Sequence, residues 1–340
     1  MSATLEDVAR AAGVHASTVS RVLSGKTSTR QETRERIFAA IRRLDYHPNS
    51  NARSLAGGRT GLLALVLNLN NEDPYGGIFE SDSQFYLQKE AMRRHCYLTL
   101  VTPEALHDLM KEQRLDGVLL TPEAAKDVKL PENFPYVLLG QPNHPKPCDS
   151  WIDNDLSLGA QMAVDHLLKQ NYAAISFLGV SCCGAEKHQR QLEGYRLALP
   201  PGMPPRIFPT DGTPQSARQV ARACLGELER PHAILCSDNL SACGLLQALQ
   251  DTWLRIPEDV GIVTFHNRPI AEYLSPPLSV IHLDGERLGV EAVRMLMERI
   301  NCPAMPPERL LIPPQLAVRE SSILSKERSP FPDADWNGWG

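Results

Sequence analysis

Thr4-Leu-Glu-Asp-Val-Ala-Arg-Ala-Ala-Gly-Val-His-Ala-Ser-Thr-Val-Ser-Arg-Val-Leu-Ser24 is the stretch that decides how this chain of 340 residues folds. Thr4 and Asp7 have the spacing of a capping box, in which side-chain oxygens satisfy free amides at a helix start. Gly13 lies where this first helix must end, because a residue without Cβ enters the left-handed conformation at little cost. A second short helix is predicted after that turn, with an apolar side formed by Val14, Val19 and Leu23.

The other face of the second helix carries short or polar side chains, namely Ala16, Ser17, Ser20 and Arg21. Short side chains let a helix approach base edges in the major groove, and an arginine can form two hydrogen bonds with guanine O6 and N7. The pattern therefore predicts a DNA-binding helix-turn-helix. An ordinary surface helical hairpin is the alternative that these residues alone leave open.

Charge and composition narrow the function classes. Residues 1–60 contain ten Arg or Lys and five Asp or Glu, so this head carries +5 and the remainder −10 of the overall −5. A basic head is typical of a protein that brings one end to a polyanion. No apolar run approaches the ~20 residues that span a bilayer, and no signal peptide is evident, so we expect a cytoplasmic protein without a membrane partner. The eight cysteines form no C-x-x-C pair, which predicts reduced thiols and no metal or other cofactor.

Two further helical segments are predicted before residue 60. Thr29 and Glu32 have capping-box spacing, and a third helix should run from there to Leu44. Pro48 marks the start of a new helical segment, because proline is tolerated in a first turn and not in a helix interior. Residues 49–56 could form about two helical turns. Such a short helix does not hold unaided, so its order should depend on what it contacts.

From residue 62 onward, continuous apolar runs alternate with amphipathic helical segments. Such runs are typical of strands buried on both faces, and the alternation predicts doubly wound parallel sheets. Seven strands or more favour two lobes, with ligands bound beyond the carboxyl ends of the strands. The predicted strands are 62–67, 98–101, 117–120, 136–139, 175–179, 233–236 and 261–265, and the predicted helices are 79–94, 157–170, 186–199, 215–229 and 239–252.

Several motifs match a known family in residue type and spacing. They are Thr4-Leu-Glu-Asp-Val-Ala9, Ala12-Gly-Val14, Ser17-Thr-Val-Ser-Arg-Val-Leu23, Thr33-Arg-Glu-Arg-Ile37, Leu44-Asp-Tyr-His-Pro-Asn49, Ala52-Arg-Ser-Leu-Ala56, Ser237-Asp-Asn239, Pro277-Leu-Ser279 and Val318-Arg-Glu-Ser321. In these motifs the chain resembles the LacI/GalR family of bacterial transcription repressors, with the evolved β-galactosidase repressor as the most similar type.

The resemblance implies an all-α helix-turn-helix head in residues 1–47, a hinge helix in 48–58 and a two-lobed α/β core of periplasmic-binding-protein type in 59–321. A disordered tail would occupy 322–340. It also implies a homodimer that binds double-stranded, pseudo-palindromic operator DNA and responds to a small-molecule effector. Catalysis is not implied.

The DNA-binding roles follow from the resemblance. Ala16, Ser17 and Arg21 would read bases, while Thr18, Ser20, Thr33 and Tyr46 would contact or face phosphates. Asn49 and Ala52 would face the minor groove, and Leu55 would wedge between the central base pairs. Thr4, at the start of the first helix, completes this set.

The resemblance also places an effector site between the lobes. The residues that it assigns are Asp73, Tyr75, Asn154, Arg190, Gln191, Ser237, Asp238 and His266. The chain departs from the family at two of them, because Gln191 stands where an arginine is usual and His266 where an aspartate is usual. Arg190 is one position early, which turns a helical side chain by about 100°, so whether it faces the cleft stays open.

The implied effector is a galactoside or another small β-linked saccharide. One alternative is a regulator with a purine or phosphorylated metabolite as co-repressor. A remote alternative is a sugar-acting enzyme that uses His266 with Asp284 or Glu286, although no nucleophile motif, phosphate loop or metal cluster accompanies these residues.

Overall fold

The computed structural model describes residues 3–23, 29–44, 46, 59–66, 76–112, 114–180, 186–266 and 269–324. The chain divides into two compact units, one of Met1–Gly61 with Gln113–Asp116 and one of Leu62–Glu112 with Gly117–Gly340.

The helices of the described residues, in chain order, are α1 (Leu5–Ala12), α2 (Ala16–Leu23), α3 (Gln31–Arg43), α4 (Gly76–Arg93), α5 (Pro103–Lys111), α6 (Ala124–Asp127), α7 (Leu156–Lys169), α8 (Glu186–Ala198), α9 (Pro214–Cys224), α10 (Asn239–Gln250), α11 (Ile270–Tyr273) and α12 (Gly285–Asn301). The strands are β1 (Leu62–Val66), β2 (Tyr97–Val101), β3 (Gly117–Leu120), β4 (Tyr136–Leu139), β5 (Trp151–Asn154), β6 (Ala174–Val180), β7 (Arg206–Thr210), β8 (His232–Cys236), β9 (Val260–Phe265), β10 (Ser279–His282), β11 (Arg309–Ile312) and β12 (Gln315–Ala317). Short 3-10 turns lie at Leu225–Glu227 and Glu320–Ser322.

The first unit contains the predicted helix-turn-helix. The Thr4 hydroxyl oxygen accepts from the Asp7 amide at 3.2 Å, and the Asp7 carboxylate accepts from the Thr4 amide at 3.0 Å, which confirms the capping box. Gly13 ends α1 with a left-handed φ of 63°. The three helices enclose a small core that includes Val8, Val19, Val22 and Ile37. The side chain of Leu23 lies outside the described residues.

The start of α3 corrects one prediction. The helix begins at Gln31, and the residue before it, Arg30, makes no capping hydrogen bond with its side chain. Glu32 is therefore the second residue of the helix. A capping box needs the acidic residue at the third position, from which its side chain reaches back to the amide of the cap residue. The Glu32 carboxylate instead places negative charge near the positive end of the helix dipole. The expected Thr29 and Glu32 capping box is wrong.

The second unit consists of two lobes, each built on a six-stranded sheet. The first has the order β11-β5-β4-β3-β1-β2 with all pairs parallel. The second has the order β12-β10-β9-β8-β6-β7, and only its edge strand β12 is antiparallel. A helix-turn-helix head with two doubly wound α/β lobes was the predicted fold class, and the structure confirms it.

The chain passes between the lobes three times, after β5, after β10 and between β11 and β12. Asn154 at the end of β5 ties two of these crossings together, because its Oδ1 accepts from the Asp284 amide at 2.9 Å. Asp284 in turn caps α12 by accepting from the Arg287 amide at 2.8 Å. The strand ends of the two sheets are thereby held against each other.

The ordered core continues past the predicted end of the second lobe. Ser322 is fully buried, and its hydroxyl lies 2.7 Å from both His166 Nε2 and the Ser279 hydroxyl. The Leu324 amide donates to Gln170 Oε1 at 3.1 Å. The described part of the chain thus extends three residues beyond the boundary predicted at 321, and residues 325–340 lie outside it. No described helix is long and apolar enough to cross a membrane.

Candidate functional sites

The outward face of α2 presents the residues predicted to contact bases. Ser17, Ser20 and Arg21 are exposed, while Ala16 and Thr18 are half-buried against the small core. Positions separated by three and four residues share one face of a helix, so the three exposed side chains form a single narrow surface. This surface can approach a nucleic acid closely and offers one guanidinium to it.

His15 caps α2, which the sequence analysis missed. Its Nδ1 accepts from the Ser17 amide at 3.3 Å and lies 2.9 Å from the Ser17 hydroxyl. The ring therefore satisfies an amide at the helix start and orients one of the predicted base contacts. Asn, Asp, Ser and Thr are the usual residues at this position, so composition gave no signal for a histidine.

Arg36 on α3 joins the turn between the first two helices. Its Nη2 donates to the Ala12 carbonyl, and to the Gly13 carbonyl at 3.4 Å. Carbonyls at the end of a helix lack partners within the helix and carry partial negative charge, so a guanidinium there is stabilising. The hydrogen bonds of Arg36 thus fix the angle between α1 and α2.

The other residues predicted to bind DNA differ in their exposure and in whether the structure describes them. Thr4 is used in the capping box, and Thr33 is half-buried on α3. Tyr46 is buried in the small core, which leaves its phosphate role a prediction. Asn49, Ala52 and Leu55 lie outside the described residues.

On the core, four predicted effector residues lie at or directly after the ends of parallel strands. Ser237 follows β8, and its hydroxyl donates to Asp238 at 2.6 Å. Asp238 also accepts from the Ser241 amide at 2.8 Å and thereby caps α10, so its carboxylate is engaged. His266 follows β9 with a positive φ of 71°. Asn154 uses its Oδ1 for the interlobe bond, while Asp73 and Tyr75 lie outside the described residues.

Arg190 influences a buried carboxylate of the first lobe, that of Asp153, and its place in the effector site stays a prediction. Burial raises the pKa of Asp153 to about 6, and the nearby Arg190 guanidinium and two main-chain amides act in the opposite direction. Those amides, of Gln141 and Asn154, donate to the Asp153 carboxylate at 2.9 and 2.8 Å. Arg190 belongs to α8 and Asp153 to β5, so this electrostatic influence acts between the lobes, while the ion pair of Arg190 is made with Glu193 on its own helix, Nη1 to Oε2 at 3.4 Å.

A hydrogen bond next to Arg190 joins the two lobes directly. Asn143, in the segment after β4, donates from Nδ2 to Gln189 Oε1 on α8 at 2.8 Å. Helix α8 therefore contacts the first lobe through Gln189. The two lobes meet here at the carboxyl ends of their strands.

Gln191 points into the second lobe at the start of the β8 to α10 turn. It is 2% exposed, and its Nε2 donates to the Ser237 carbonyl at 3.1 Å. Asn239, which the sequence analysis did not assign to the site, makes the matching contact with the carbonyl of His266 at 3.0 Å. Its position in the motif Ser237-Asp-Asn239 was the available signal.

Comparison with known proteins decides the family. Residues 4–49 match the model of bacterial regulatory proteins of the lacI family, and residues 164–322 match the periplasmic binding protein-like domain. The HTH-type transcriptional regulator CelR of Thermobifida fusca is 31% identical over 337 residues, covering 94% of this chain and 98% of that protein. The chain belongs to the LacI family. It is a DNA-binding transcriptional regulator.

Other LacI-family proteins align along nearly the whole chain. The HTH-type transcriptional repressor PurR of Mannheimia succiniciproducens is 28% identical over 333 residues, or 94% of this chain and 98% of that protein. The solved CelR–cellobiose complex is 29% identical with a TM-score of 0.67, over 94% of this chain and 99% of that chain. The lac repressor dimer bound to operator and the anti-inducer ONPF has a TM-score of 0.75 at 24% identity, over 95% and 100%, and supports the fold alone.

These LacI-family relatives are transcriptional regulators and not enzymes, and the two carboxylates of the enzyme alternative have other contacts. Asp284 is used as the cap of α12, and Glu286 lies 4.0 Å from Lys89 in an exposed ion pair. Among the described residues, no group of three His, Cys, Asp or Glu could hold a metal ion.

Proposed function

We propose that this LacI-family regulator represses a carbohydrate-utilisation operon and releases its operator when a small saccharide binds between the lobes. The observation that carries the proposal is the exposed face of α2, with Ser17, Ser20 and Arg21 on a helix capped at its start and held from α3. Short side chains permit close approach, and Arg21 supplies the specific contact. Thr18, Thr33 and Tyr46 would fix the register on phosphates.

We infer that the protein acts as a homodimer on a pseudo-palindromic site. A single face as narrow as that of α2 reads few base pairs, so two heads would double the sequence read. The predicted minor-groove residues Asn49, Ala52 and Leu55 would add recognition through DNA shape. Specificity would then come from two sources, the few base contacts of α2 and the deformability of the central base-pair step of the operator.

The effector that we propose is a small β-linked saccharide. The CelR relative was solved with cellobiose, and the evolved β-galactosidase repressor type implies a galactoside. Both compounds belong to one chemical class, and the polar residues at the strand ends suit hydroxyl groups. Binding is reciprocal, so a saccharide that weakens operator affinity must itself bind more weakly to the operator complex, by the same factor.

The test starts with selection of operators from random duplex DNA by the full-length protein. Affinity for the selected site is then measured with and without cellobiose, lactose and hypoxanthine. We expect a palindromic site and release by one of the saccharides. Absence of any preferred palindrome would contradict the proposal, whereas tighter DNA binding with hypoxanthine would establish the co-repressor alternative.

A further inference from the structure

Ser17 on α2 makes two contacts with the ring of His15. The Ser17 main-chain amide donates to His15 Nδ1 at 3.3 Å, and the Ser17 hydroxyl oxygen lies 2.9 Å from the same nitrogen. A main-chain amide can only donate, so Nδ1 must be the acceptor and the proton of the neutral ring must lie on Nε2. The amide contact thus fixes the tautomer of His15.

The tautomer in turn fixes the direction of the hydroxyl contact. Because Nδ1 carries no hydrogen, the Ser17 hydroxyl must donate to it. A hydroxyl group has one hydrogen, and here the ring of His15 uses it. The oxygen keeps lone pairs for a further group, so in this arrangement the Ser17 side chain offers an acceptor only.

This acceptor lies on the surface that the proposed function brings to the major groove. His15 and Ser17 are both exposed, and Ser17 shares the outward face of α2 with Ser20 and Arg21. In that groove adenine N6 and cytosine N4 are donors, whereas guanine O6 and thymine O4 are acceptors. A side chain that only accepts can bind the two amino groups and neither of the two keto oxygens.

We propose that His15 is a positioning residue that restricts Ser17 to bases with an exocyclic amino group, so that the operator carries adenine or cytosine where it faces Ser17. This inference rests on the base-reading role of Ser17 in the proposed function and adds the chemistry of the base that Ser17 reads. Arg21 has the opposite polarity, since a guanidinium only donates and favours guanine. Two residues one turn apart on α2 therefore read opposite kinds of base edge.

A serine without this neighbour would not discriminate in the same way. A hydroxyl group that rotates freely can donate or accept, so serine is compatible with either kind of base edge. His15 removes this freedom through the same nitrogen that caps α2. Removal of the His15 ring should therefore broaden the base preference of Ser17 and leave its contact with the base possible.

The first test uses full-length protein and every single-base variant of the operator selected from random duplex DNA. Ser17→Ala identifies the base pair that Ser17 reads, as the one where preference is lost. There we expect the wild-type protein to prefer A or C over G or T on one strand by roughly 3- to 10-fold, the effect of one hydrogen bond. His15→Ala should lose this preference. His15→Asn should keep it, because the asparagine oxygen can accept from both the amide and the hydroxyl of Ser17.

Analogue bases provide a second measurement on unaltered protein, and they are needed because every base pair carries an amino group opposite a keto oxygen. At the base pair that Ser17 reads, adenine is replaced by purine or cytosine by 2-pyrimidinone, which lack only the amino group. Wild-type affinity should fall roughly 3- to 10-fold. Ser17→Ala should not respond, which separates the lost contact from the weakened base pair. The matched control is Ser20→Ala, a second exposed hydroxyl on this face, and it should respond like the wild type.

The outcomes distinguish this inference from the proposed function. Unchanged wild-type affinity for the analogue operator, or a preference that His15→Ala retains, would overturn the role of His15, as would a Ser17→Ala protein with wild-type preference at every position. Loss of the cap alone would weaken His15→Ala on all sequences equally, so base preference is scored and not overall affinity. Absence of any selected operator would instead contradict the proposed function.

Discussion

At the scale of single residues, Arg21 has the chemistry to distinguish one base pair. Its guanidinium is exposed on the same face of α2 as Ser17 and Ser20. We expect Arg21→Ala to weaken operator binding by about 1 to 3 kcal/mol and to relax preference at one position, the cost of a bidentate guanine contact. Affinities for the selected operator and its single-base variants provide the measurement.

Two comparisons sharpen this expectation. Arg21→Lys keeps the charge and loses the planar fork, so preference at that position should still relax. Arg10→Ala, which removes an exposed guanidinium that pairs with Asp7 on α1, should leave base preference unchanged. An equal loss on all sequences for Arg21→Ala would mean that Arg21 binds only phosphate.

A second residue makes stability depend on pH. His232 is fully buried with its Nε2 2.8 Å from the Ser176 hydroxyl, and burial lowers its pKa from 6.5 to about 4. The unfolded chain therefore binds this proton first, and stability is lost as pH falls from about 6.5 towards 4, by up to about 3 kcal/mol. Asp153 contributes in the opposite direction. Because burial raises its pKa from 3.8 to about 6, its contribution to stability is lost as pH rises through this range and regained as pH falls.

Urea unfolding at pH 7, 5.5 and 4.5 separates the two contributions. In His232→Gln the loss of stability with falling pH should be smaller than in the wild-type protein. The exposed His107→Gln serves as the control and should follow the wild-type curve. Parallel curves for wild type and His232→Gln would show that His232 is not the group responsible.

The site could be predicted from the sequence only in part. The family resemblance predicts Gln191 and Ser237 as neighbours of an effector, and the structure places the Gln191 amide on α8 against the Ser237 carbonyl just after β8. Helical geometry could not predict the electrostatic influence of Arg190 on Asp153, since Asp153 belongs to the other lobe. Asn239 was missed because its acceptor, the His266 carbonyl, is 27 positions away.

At the scale of secondary-structure elements, α7 and α8 pack through a glycine. A Cβ on Gly194 would lie only 2.1 Å from the Ser157 carbonyl oxygen, which is main chain and cannot move aside cheaply. We expect Gly194→Ala to destabilise the second lobe by about 1 to 3 kcal/mol or more, since overpacking must separate the helices. Urea unfolding followed by circular dichroism measures the change.

Gly226 is the matched control for this substitution. A Cβ there meets nothing within 4 Å, so Gly226→Ala should be neutral or slightly stabilising. Because α8 also carries Gln189, Arg190 and Gln191, separation of α7 and α8 should weaken saccharide binding as well. An unchanged midpoint for Gly194→Ala would show that the close packing does not constrain these helices.

Prediction of the elements succeeded where strands are buried on both faces. The expected bounds of β3 and β4 are correct, and those of β6, β8 and β9 differ by no more than one residue at either end. Strand β7 was missed because it is a partly exposed edge strand without a continuous apolar run. The place of α12 could not be read from its sequence, since it follows a strand of the second lobe and packs on the first.

At the scale of the whole molecule, exposed apolar side chains support the proposed homodimer. Helix α4 and the same face of the adjoining edge strand β2 expose Phe85, Met92 and Leu100, each by more than half. Edge strands are usually protected by charge or by a covering element, and a large exposed apolar patch marks an interaction surface. We infer that a second copy of the chain covers this face.

Substitution of Leu100, which is 53% exposed, tests that arrangement. A carboxylate buried without a partner in an interface is costly, so Leu100→Asp should raise the dimer Kd by about 10-fold or more. Operator affinity should fall with it, because a monomer engages one half-site. Sedimentation velocity over a concentration series provides the measurement, with Leu197→Asp on α8, where Leu197 is 68% exposed, as the control that stays dimeric. A Leu100→Asp protein that sediments like the wild type would place the dimer contact on another face.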